Sequence, residues 1–161
     1  MPHEMRLLKA ITMGTVEDIE ALIDQGGDLR ALPGHGLLQA ISRNPVGPYE
    51  IAPGRTVMAP NKRYRLEVLR CLLERGADPK SIPLTEACLR GDADVVKLLL
   101  DHGAVANDRA AMDYILERLP HSTGARQVDW LQKLQLLLHA GAPTDIPVLS
   151  EIAKEHPWVF Q

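Results

Sequence analysis

One short pattern recurs four times along the chain and constrains its fold more than any other feature. In each copy a leucine-rich segment ends in two polar or small residues and a glycine. The copies are Leu22-Ile23-Asp24-Gln25-Gly26, Leu72-Leu73-Glu74-Arg75-Gly76, Leu99-Leu100-Asp101-His102-Gly103 and Leu137-Leu138-His139-Ala140-Gly141. Glycine readily adopts the left-handed conformation that ends a helix. The pattern therefore predicts four helices, each ended by its own glycine, in a chain built from repeats.

The clearest repeat runs from Pro83 to Ala104 and reads as two helices. Apolar residues at helical spacing precede Gly91, then Asp92 or Asp94 starts the second helix and Gly103 ends it. The second helix is apolar over a wide arc, through Val95, Val96, Leu98, Leu99 and Leu100. Such an arc is too wide for one neighbour to cover, so we expect this repeat to be internal in a stack.

These residues resemble the ankyrin repeat. The matching positions are Pro83, Leu84, Ala87, Gly91, Val95, Val96, Leu98, Leu99, Leu100, Gly103 and Ala104, with weaker copies at Leu7, Ala10, Gly14, Ile19, Leu37, Ala40, Leu66 and Val68. The resemblance implies an all-α solenoid of about four helix pairs and a partial C-terminal repeat, in one domain over residues 1–161. The expected repeats are approximately 4–28, 35–78, 82–105, 110–143 and 147–161. Trp158, Val159 and Phe160 are expected to fold back onto the last repeat.

The spacing of the repeats departs from that family. Connectors from an end glycine to the next first helix are short, which predicts that the projecting hairpin fingers of the family are truncated here. The extra length lies instead between the paired helices, from Asn44 to Leu66 and from Leu119 to Leu131. Because helix-to-helix turns of a solenoid emerge on one edge, we expect both insertions on the same edge. Long irregular connections are either functional or disordered.

The insertion at 45–65 predicts a stiff, basic binding loop with little regular structure. It has four prolines, two tyrosines and four cations against one acidic residue. Tyr and Arg commonly anchor protein interfaces, and proline limits the entropy lost on binding. In the alternative interpretation, Ile51, Val57 and Met58 only tuck the loop onto the helices while the cations stay solvated.

The second insertion, at 120–130, is small and polar, with Trp130 expected to be half exposed just inside the next helix. Together the two insertions give the predicted partner-binding residues: Tyr49, Arg55, Met58, Lys62, Arg63, Tyr64, His121, Arg126 and Trp130.

Charge and composition exclude several classes of function. The net charge of -3 leaves no excess of cations for a nucleic-acid backbone. No apolar run is long enough for a membrane span and no leader is recognised, which predicts a cytoplasmic protein. Cys71 and Cys88 lie in helical apolar patterns and are interpreted as buried hydrophobes, although a metal site with His102 stays open. His102 and His139 are interpreted as structural residues at helix ends.

No phosphate loop, nucleophile elbow, zinc-binding helix or dinucleotide motif occurs in the sequence, so no enzyme, cofactor or metal is predicted. The resemblance implies a protein-interaction module, and the basic insertion favours a partner with an acidic patch. Inhibitor, adaptor and toxin-neutralising immunity roles all stay open. A structural or self-associating scaffold is the first alternative, although a homo-oligomer is not favoured. An enzyme that uses Tyr49, Tyr64, Arg63 or His121 is the second.

Overall fold

The computed structural model describes residues 2–27, 29, 34–42, 46–60, 62–107 and 109–161. Contacts divide the chain into two compact units, Met1–Ile82 and Pro83–Gln161. The prediction of a single domain with the repeat bounds given above stays a prediction.

The described residues of the first unit form two helix pairs, a β-hairpin and a short 3-10 helix at Pro79–Ser81. Its elements are α1 His3–Met13, α2 Val16–Asp24, α3 Gly34–Ser42, β1 Val46–Ala52, β2 Arg55–Pro60 and α4 Lys62–Glu74. In this unit α1 packs against α2 and α3, and α4 packs against α2 and α3. Leu7, Ile11, Ile19, Leu69 and Leu72 are buried in its core.

The described residues of the second unit form helices joined by short connections, and no strand occurs among them. It contains α5 Leu84–Arg90, α6 Ala93–Asp101, α7 Arg109–Arg118, α8 Gly124–His139 and α9 Val148–Glu155, with short 3-10 helices at Leu119–His121 and Pro157–Phe160. The central helix α8 contacts α6, α7 and both 3-10 helices. The described chain is thus all-α apart from one two-stranded sheet, as predicted, with four helix pairs and a partial C-terminal repeat.

All four predicted helix-ending glycines adopt left-handed backbone conformations. Gly26, Gly76, Gly103 and Gly141 have φ values of 105°, 105°, 103° and 96°. In the last three copies the residue after glycine donates its N–H to a carbonyl five residues earlier, as Ala104 does to Leu99 at 3.0 Å. This bond satisfies a carbonyl that the helix end would otherwise leave unpaired. The recurring motif in the sequence is therefore a helix-ending device.

The connectors after these glycines are short, as predicted. Gly76 is followed by a 3-10 helix at Pro79–Ser81, and no strand occurs in the described residues of the connectors after Gly103 and Gly141.

The turns between the two helices of a pair differ in length more than these connectors do. Gly14 and Gly91 make tight turns, and a Cβ atom at Gly91 would lie only 2.7 Å from Cγ1 of Val95. After Gly91, the Asp92 side chain caps α6 by accepting the Val95 N–H at 3.1 Å.

The two insertions between paired helices have regular structure, so the prediction of irregular loops is wrong. Within 45–65, the described residues form the hairpin β1–β2 and the first turn of α4, which begins at Lys62 rather than Leu66. Within 120–130, a 3-10 turn is followed directly by α8, which begins at Gly124. Local bonds contribute to both differences. Paired strands satisfy their own backbone groups, and the Ser122 hydroxyl donates to the Arg118 carbonyl at 2.8 Å in the turn that leads into α8.

The C-terminal cluster is only partly core. Val159 is fully buried, and Gln135 of α8 donates its side-chain amide to the Trp158 carbonyl at 2.9 Å. Trp158 and Phe160 remain partly exposed. The last residues therefore fold onto α8 as expected, but through Val159 and the backbone.

Both cysteines are buried free thiols, as interpreted from the sequence. Loss of hydration on burial raises the pKa of Cys88 to about 11, from an ordinary value of 9.0. The positive charge of Lys133 opposes this shift. His102, the other member of the metal site left open, instead places Nδ1 2.9 Å from the Leu98 carbonyl within its own helix.

The four glycine ends can be tested by substitution at Gly103. We expect Gly103→Val to lower the free energy of unfolding by about 1–2 kcal/mol, because a β-branched residue is strained in the left-handed region. Gly103→Asn should lower the free energy of unfolding clearly less than Gly103→Val does, since Asn tolerates the left-handed region. Urea unfolding followed by circular dichroism measures both. Equal stability of the Val variant and the wild type would contradict this role.

The pKa of Cys88 predicts a loss of stability in alkali. The unfolded thiol ionises near pH 9 while the folded thiol keeps its proton until about pH 11. The free energy of unfolding should therefore fall by about 1 kcal/mol between pH 8 and pH 10 from this group alone. Urea titrations at both pH values measure it, with Cys88→Ala as the control. A decline as steep in Cys88→Ala would assign the effect to other groups.

Candidate functional site

The hairpin of residues 46–60, named here the arm, is the first candidate site. Its strands are antiparallel, with Tyr49 opposite Val57 and Glu50 opposite Thr56. The turn contains Pro53 and Gly54, and Gly54 has a φ of 74°, the value that the third residue of a type II turn requires. The Glu50 carboxylate also accepts the Gly54 N–H at 3.0 Å. Local bonds therefore define the tip of the arm.

The arm exposes every described side chain from Glu50 to Met58. Among them are three large apolar residues, Ile51, Val57 and Met58. Neighbouring strand residues point to opposite faces, so Val57 and Met58 show that neither face of β2 is covered here. The alternative in which these three residues tuck the insertion onto the helices is therefore wrong.

The predicted site residues of this insertion are only partly described. Arg55 and Met58 lie on β2 with exposed side chains, and Met58 is 64% exposed. The side chains of Tyr49, Lys62, Arg63 and Tyr64 lie outside the described part of the structure. A fourth cation, Arg65, donates to the Ile41 carbonyl at 3.2 Å and so ties the start of α4 to α3.

The second candidate site is a cleft of about 420 Å³ beside the start of α8, named here the α8 cleft. The structure brings His121, Arg126 and Trp130 together in it, three of the residues that the sequence predicted for binding. The complete lining is Leu89, Arg118, His121, Ser122, Arg126, Asp129, Trp130 and Lys133. All of these residues belong to the second unit.

The floor of the α8 cleft is a buried polar network centred on Lys133. The Lys133 side chain is only 3% exposed, and its Nζ donates to Asp129 at 2.8 Å and to the Cys88 carbonyl at 2.9 Å. The other oxygen of Asp129 accepts the N–H of Ala93, the first residue of α6, at 2.9 Å. One ion pair on α8 thus holds the end of α5 and the start of α6. Burying these charges is tolerable because each has its partners in place.

Aromatic rings flank the same network. Nζ of Lys133 lies 4.2 Å from the centre of the Trp130 ring, and the Arg118 guanidinium lies 3.7 Å from the centre of the Tyr114 ring. The two rings contact each other at a centroid distance of 5.9 Å. Trp130 is only 8% exposed, so the prediction of a half-exposed side chain is wrong. Trp130 nevertheless belongs to the lining of the cleft.

Sequence reasoning missed Arg118, Asp129 and Lys133. A lysine on a helix is usually solvated, and no local pattern distinguishes Lys133 from such a residue. The spacing of Asp129 and Lys133, four residues apart, was the available signal for an ion pair on one helix face. The arm lies in the first unit and the α8 cleft in the second, so the prediction of a shared edge stays a prediction.

The described residues contain neither a cluster of metal ligands nor a helix that could span a membrane. No group of three or more His, Cys, Asp or Glu side chains in that part of the chain could hold a metal ion. Among the same residues, no helix combines the length and the apolar character needed to cross a membrane.

Comparison with known families identifies the central part of the chain. Residues 80–111, which include the α5–α6 pair and the start of α7, match the ankyrin-repeat family model. The chain carries an ankyrin repeat. Comparison with curated proteins and with solved structures gives no significant match. The ankyrin assignment made from Pro83, Leu84 and Gly103 is thereby confirmed.

The ankyrin repeat indicates a general class of function. Ankyrin repeats are generally protein–protein interaction modules, and proteins that contain them are typically non-enzymatic scaffolds. A fold does not itself name a partner, so the binding surface has to be argued from the arm and the α8 cleft.

The Lys133 network should be a main support of the ankyrin α5–α6 pair. We expect Lys133→Met to lower the free energy of unfolding by about 2 kcal/mol or more, because it leaves Asp129 and the Cys88 carbonyl without their partner. Lys97→Met is the matched control. Lys97 also pairs with an acidic residue four positions away, but its side chain is 60% exposed, and its loss should cost less than about 0.5 kcal/mol. Similar unfolding midpoints in urea for the two variants would contradict the network's importance.

Proposed function

We propose that this chain binds another protein through the arm, residues 46–60. The observation that supports it is the exposure of Ile51, Val57 and Met58 on a hairpin whose described side chains are all exposed from Glu50 to Met58. Apolar side chains grouped on a surface commonly mark sites of protein interaction. An isolated two-stranded hairpin is also only marginally stable in water, so a partner that covers it adds to its stability.

The charge of the arm supports an acidic partner surface. Arg55 is exposed on β2, and the one carboxylate of the insertion, Glu50, already bonds the turn at Gly54. The sequence adds Lys62 and Arg63 directly after β2. Complementary charge speeds association and selects among partners, while apolar contacts supply most of the affinity. Arg55 is thus proposed to orient the partner and Met58 to anchor it.

An inhibitory, adaptor or neutralising role would each use this binding step. The step itself decides none of them, and a cytoplasmic location also stays a prediction from the sequence. What distinguishes binding from the scaffold alternative is the identity of the second molecule, which is a different protein in the first case and another copy of this chain in the second.

The arm can be tested with two exposed methionines of the same unit. Met58→Asp should weaken capture of a protein partner from the native source at least about tenfold, because it replaces an apolar anchor by a charge that repels an acidic surface. Met13→Asp is the matched control. Met13 lies at the end of α1 and is 69% exposed, against 64% for Met58. It should change capture less than about twofold, and neither substitution should unfold the chain, since both sites are on the surface.

Quantitative pull-down with the purified variants measures both effects, after circular dichroism has shown equal folding. Equal capture by both variants would reject the arm as the binding site. Light scattering on the same samples tests the alternative. A wild-type dimer that becomes a monomer in Met58→Asp would favour the self-associating scaffold over a different partner.

A further inference from the structure

We infer that the α8 cleft binds an acidic side chain of the partner protein, as a second contact besides the arm. This inference rests on the proposed function in one respect, namely that the chain binds a protein. It adds a second contact site and names the chemical group, a carboxylate, that this site would recognise. The cleft belongs to the second unit, and its own residues carry the argument.

The charges of the cleft do not balance. Asp129 is the one acidic residue in the lining, and it is fully engaged, with one oxygen on Lys133 and the other on the Ala93 N–H. The charges of Asp129 and Lys133 therefore neutralise each other. Two arginines, Arg118 and Arg126, remain, and neither forms an ion pair with a described carboxylate. The lining thus has a net positive charge that its own residues leave unneutralised.

One of these arginines is held in place before any ligand arrives. The Arg118 guanidinium stacks 3.7 Å from the centre of the Tyr114 ring. The backbone carbonyl of Arg118 accepts a hydrogen bond from the hydroxyl of buried Ser122 at 2.8 Å. This bond fixes the turn that leads into α8. A guanidinium on an aromatic face keeps its N–H groups in a fixed plane, and their geometry matches two carboxylate oxygens. Arg118 therefore needs little reorganisation to bind a carboxylate.

The second arginine is exposed to solvent. Arg126 lies in the first turn of α8 and lines the cleft together with His121, which is also exposed. An exposed cation suits capture of an approaching acidic group, and Arg118 suits its final placement. The two arginines thus have complementary parts in binding one anion.

The apolar part of the lining favours a protein side chain over a free inorganic anion. Leu89 and Trp130 both line the cleft, and Leu89 is half exposed. An inorganic anion has no group to place against either residue. A glutamate side chain carries a carboxylate on an aliphatic stem, so it can contact the arginines and the apolar lining together. We therefore commit to a glutamate-containing segment of a partner protein.

The test uses short peptides and the two tryptophan indole signals in NMR spectra of the full chain, assigned with Trp158→Phe. The acetylated and amidated peptide Gly-Glu-Leu-Glu-Gly should shift the Trp130 indole signal in a saturable way. The peptide Gly-Gln-Leu-Gln-Gly, equal in shape but uncharged, should leave it unchanged. The shift should weaken as salt rises, because the attraction is between exposed charges.

Matched arginine variants locate the binding. Arg126→Gln should raise the dissociation constant of the glutamate peptide about two- to fivefold, as expected for one exposed ion pair. Arg109→Gln is the control, since Arg109 is also exposed and lies at the opposite end of α7 from Arg118. It should leave the dissociation constant unchanged. Both sites are on the surface, so the variants should fold alike.

Three results would overturn the inference. These are equal shifts with the glutamine peptide, equal weakening by Arg109→Gln, and tighter binding of inorganic phosphate than of the glutamate peptide at the Trp130 signal. The peptide assay needs no native partner and does not involve Met58. If the glutamate peptide does not shift the Trp130 signal while Met58→Asp loses capture of the partner, the cleft alone is rejected. A saturable titration together with equal capture by Met58→Asp and Met13→Asp would reject the arm alone.

Discussion

The left-handed glycine at the end of each second helix is the constraint on which the rest of this chain depends. It stops the helix at a fixed residue and turns the chain away from the helix axis within two residues. In three copies the next N–H also returns to a carbonyl near the helix end, as Ala77 does to Leu72 at 3.0 Å. The following connector can then be short, because the direction of the chain is already set. No projecting hairpin occurs in the described residues of the connectors after Gly76, Gly103 and Gly141.

The turn between the two helices of a pair determines where the chain can accept additional residues. At Gly14 and Gly91 this turn is so tight that even a Cβ atom would approach the backbone of the preceding helix, at 2.8 Å from the Ala10 carbonyl oxygen in the first case. Pairs α1–α2 and α5–α6 therefore have no room for an insertion. In the sequence no glycine directly follows α3 or α7, and the pairs α3–α4 and α7–α8 carry the arm and the longer α8 with its cleft. The candidate sites lie where the packing is permissive.

The sequence predicted this architecture well because its signals are local. Helix spacing, the end glycines and the ankyrin pattern around Pro83 each depend on residues close in the chain, and each is confirmed. The arm was missed as a hairpin although Pro53-Gly54 followed by Thr56 and Val57 is a turn-and-strand signal, because its four prolines suggested an irregular loop. The start of α8 was missed because Gly124 reads as a helix breaker, whereas it stands at the first position of the helix. The bond from Lys133 to the Cys88 carbonyl could not be predicted, since the two residues are 45 positions apart and no local pattern joins them.

The position of Lys133 also explains why the α8 cleft keeps its positive charge. Asp129 could in principle neutralise Arg126, three residues before it on the same helix. It is instead held between Lys133 and the start of α6, where it stabilises the junction of three helices. The same ion pair that holds α8 in place thus engages the acidic residue of the cleft lining. Arg118 and Arg126 form no ion pair with a described carboxylate, so an anion that enters the cleft gains an attraction that these arginines do not already use. Asp129 therefore links stability to the proposed recognition. Its carboxylate stabilises the helix junction, so under this proposal the arginines bind an acidic group of the partner.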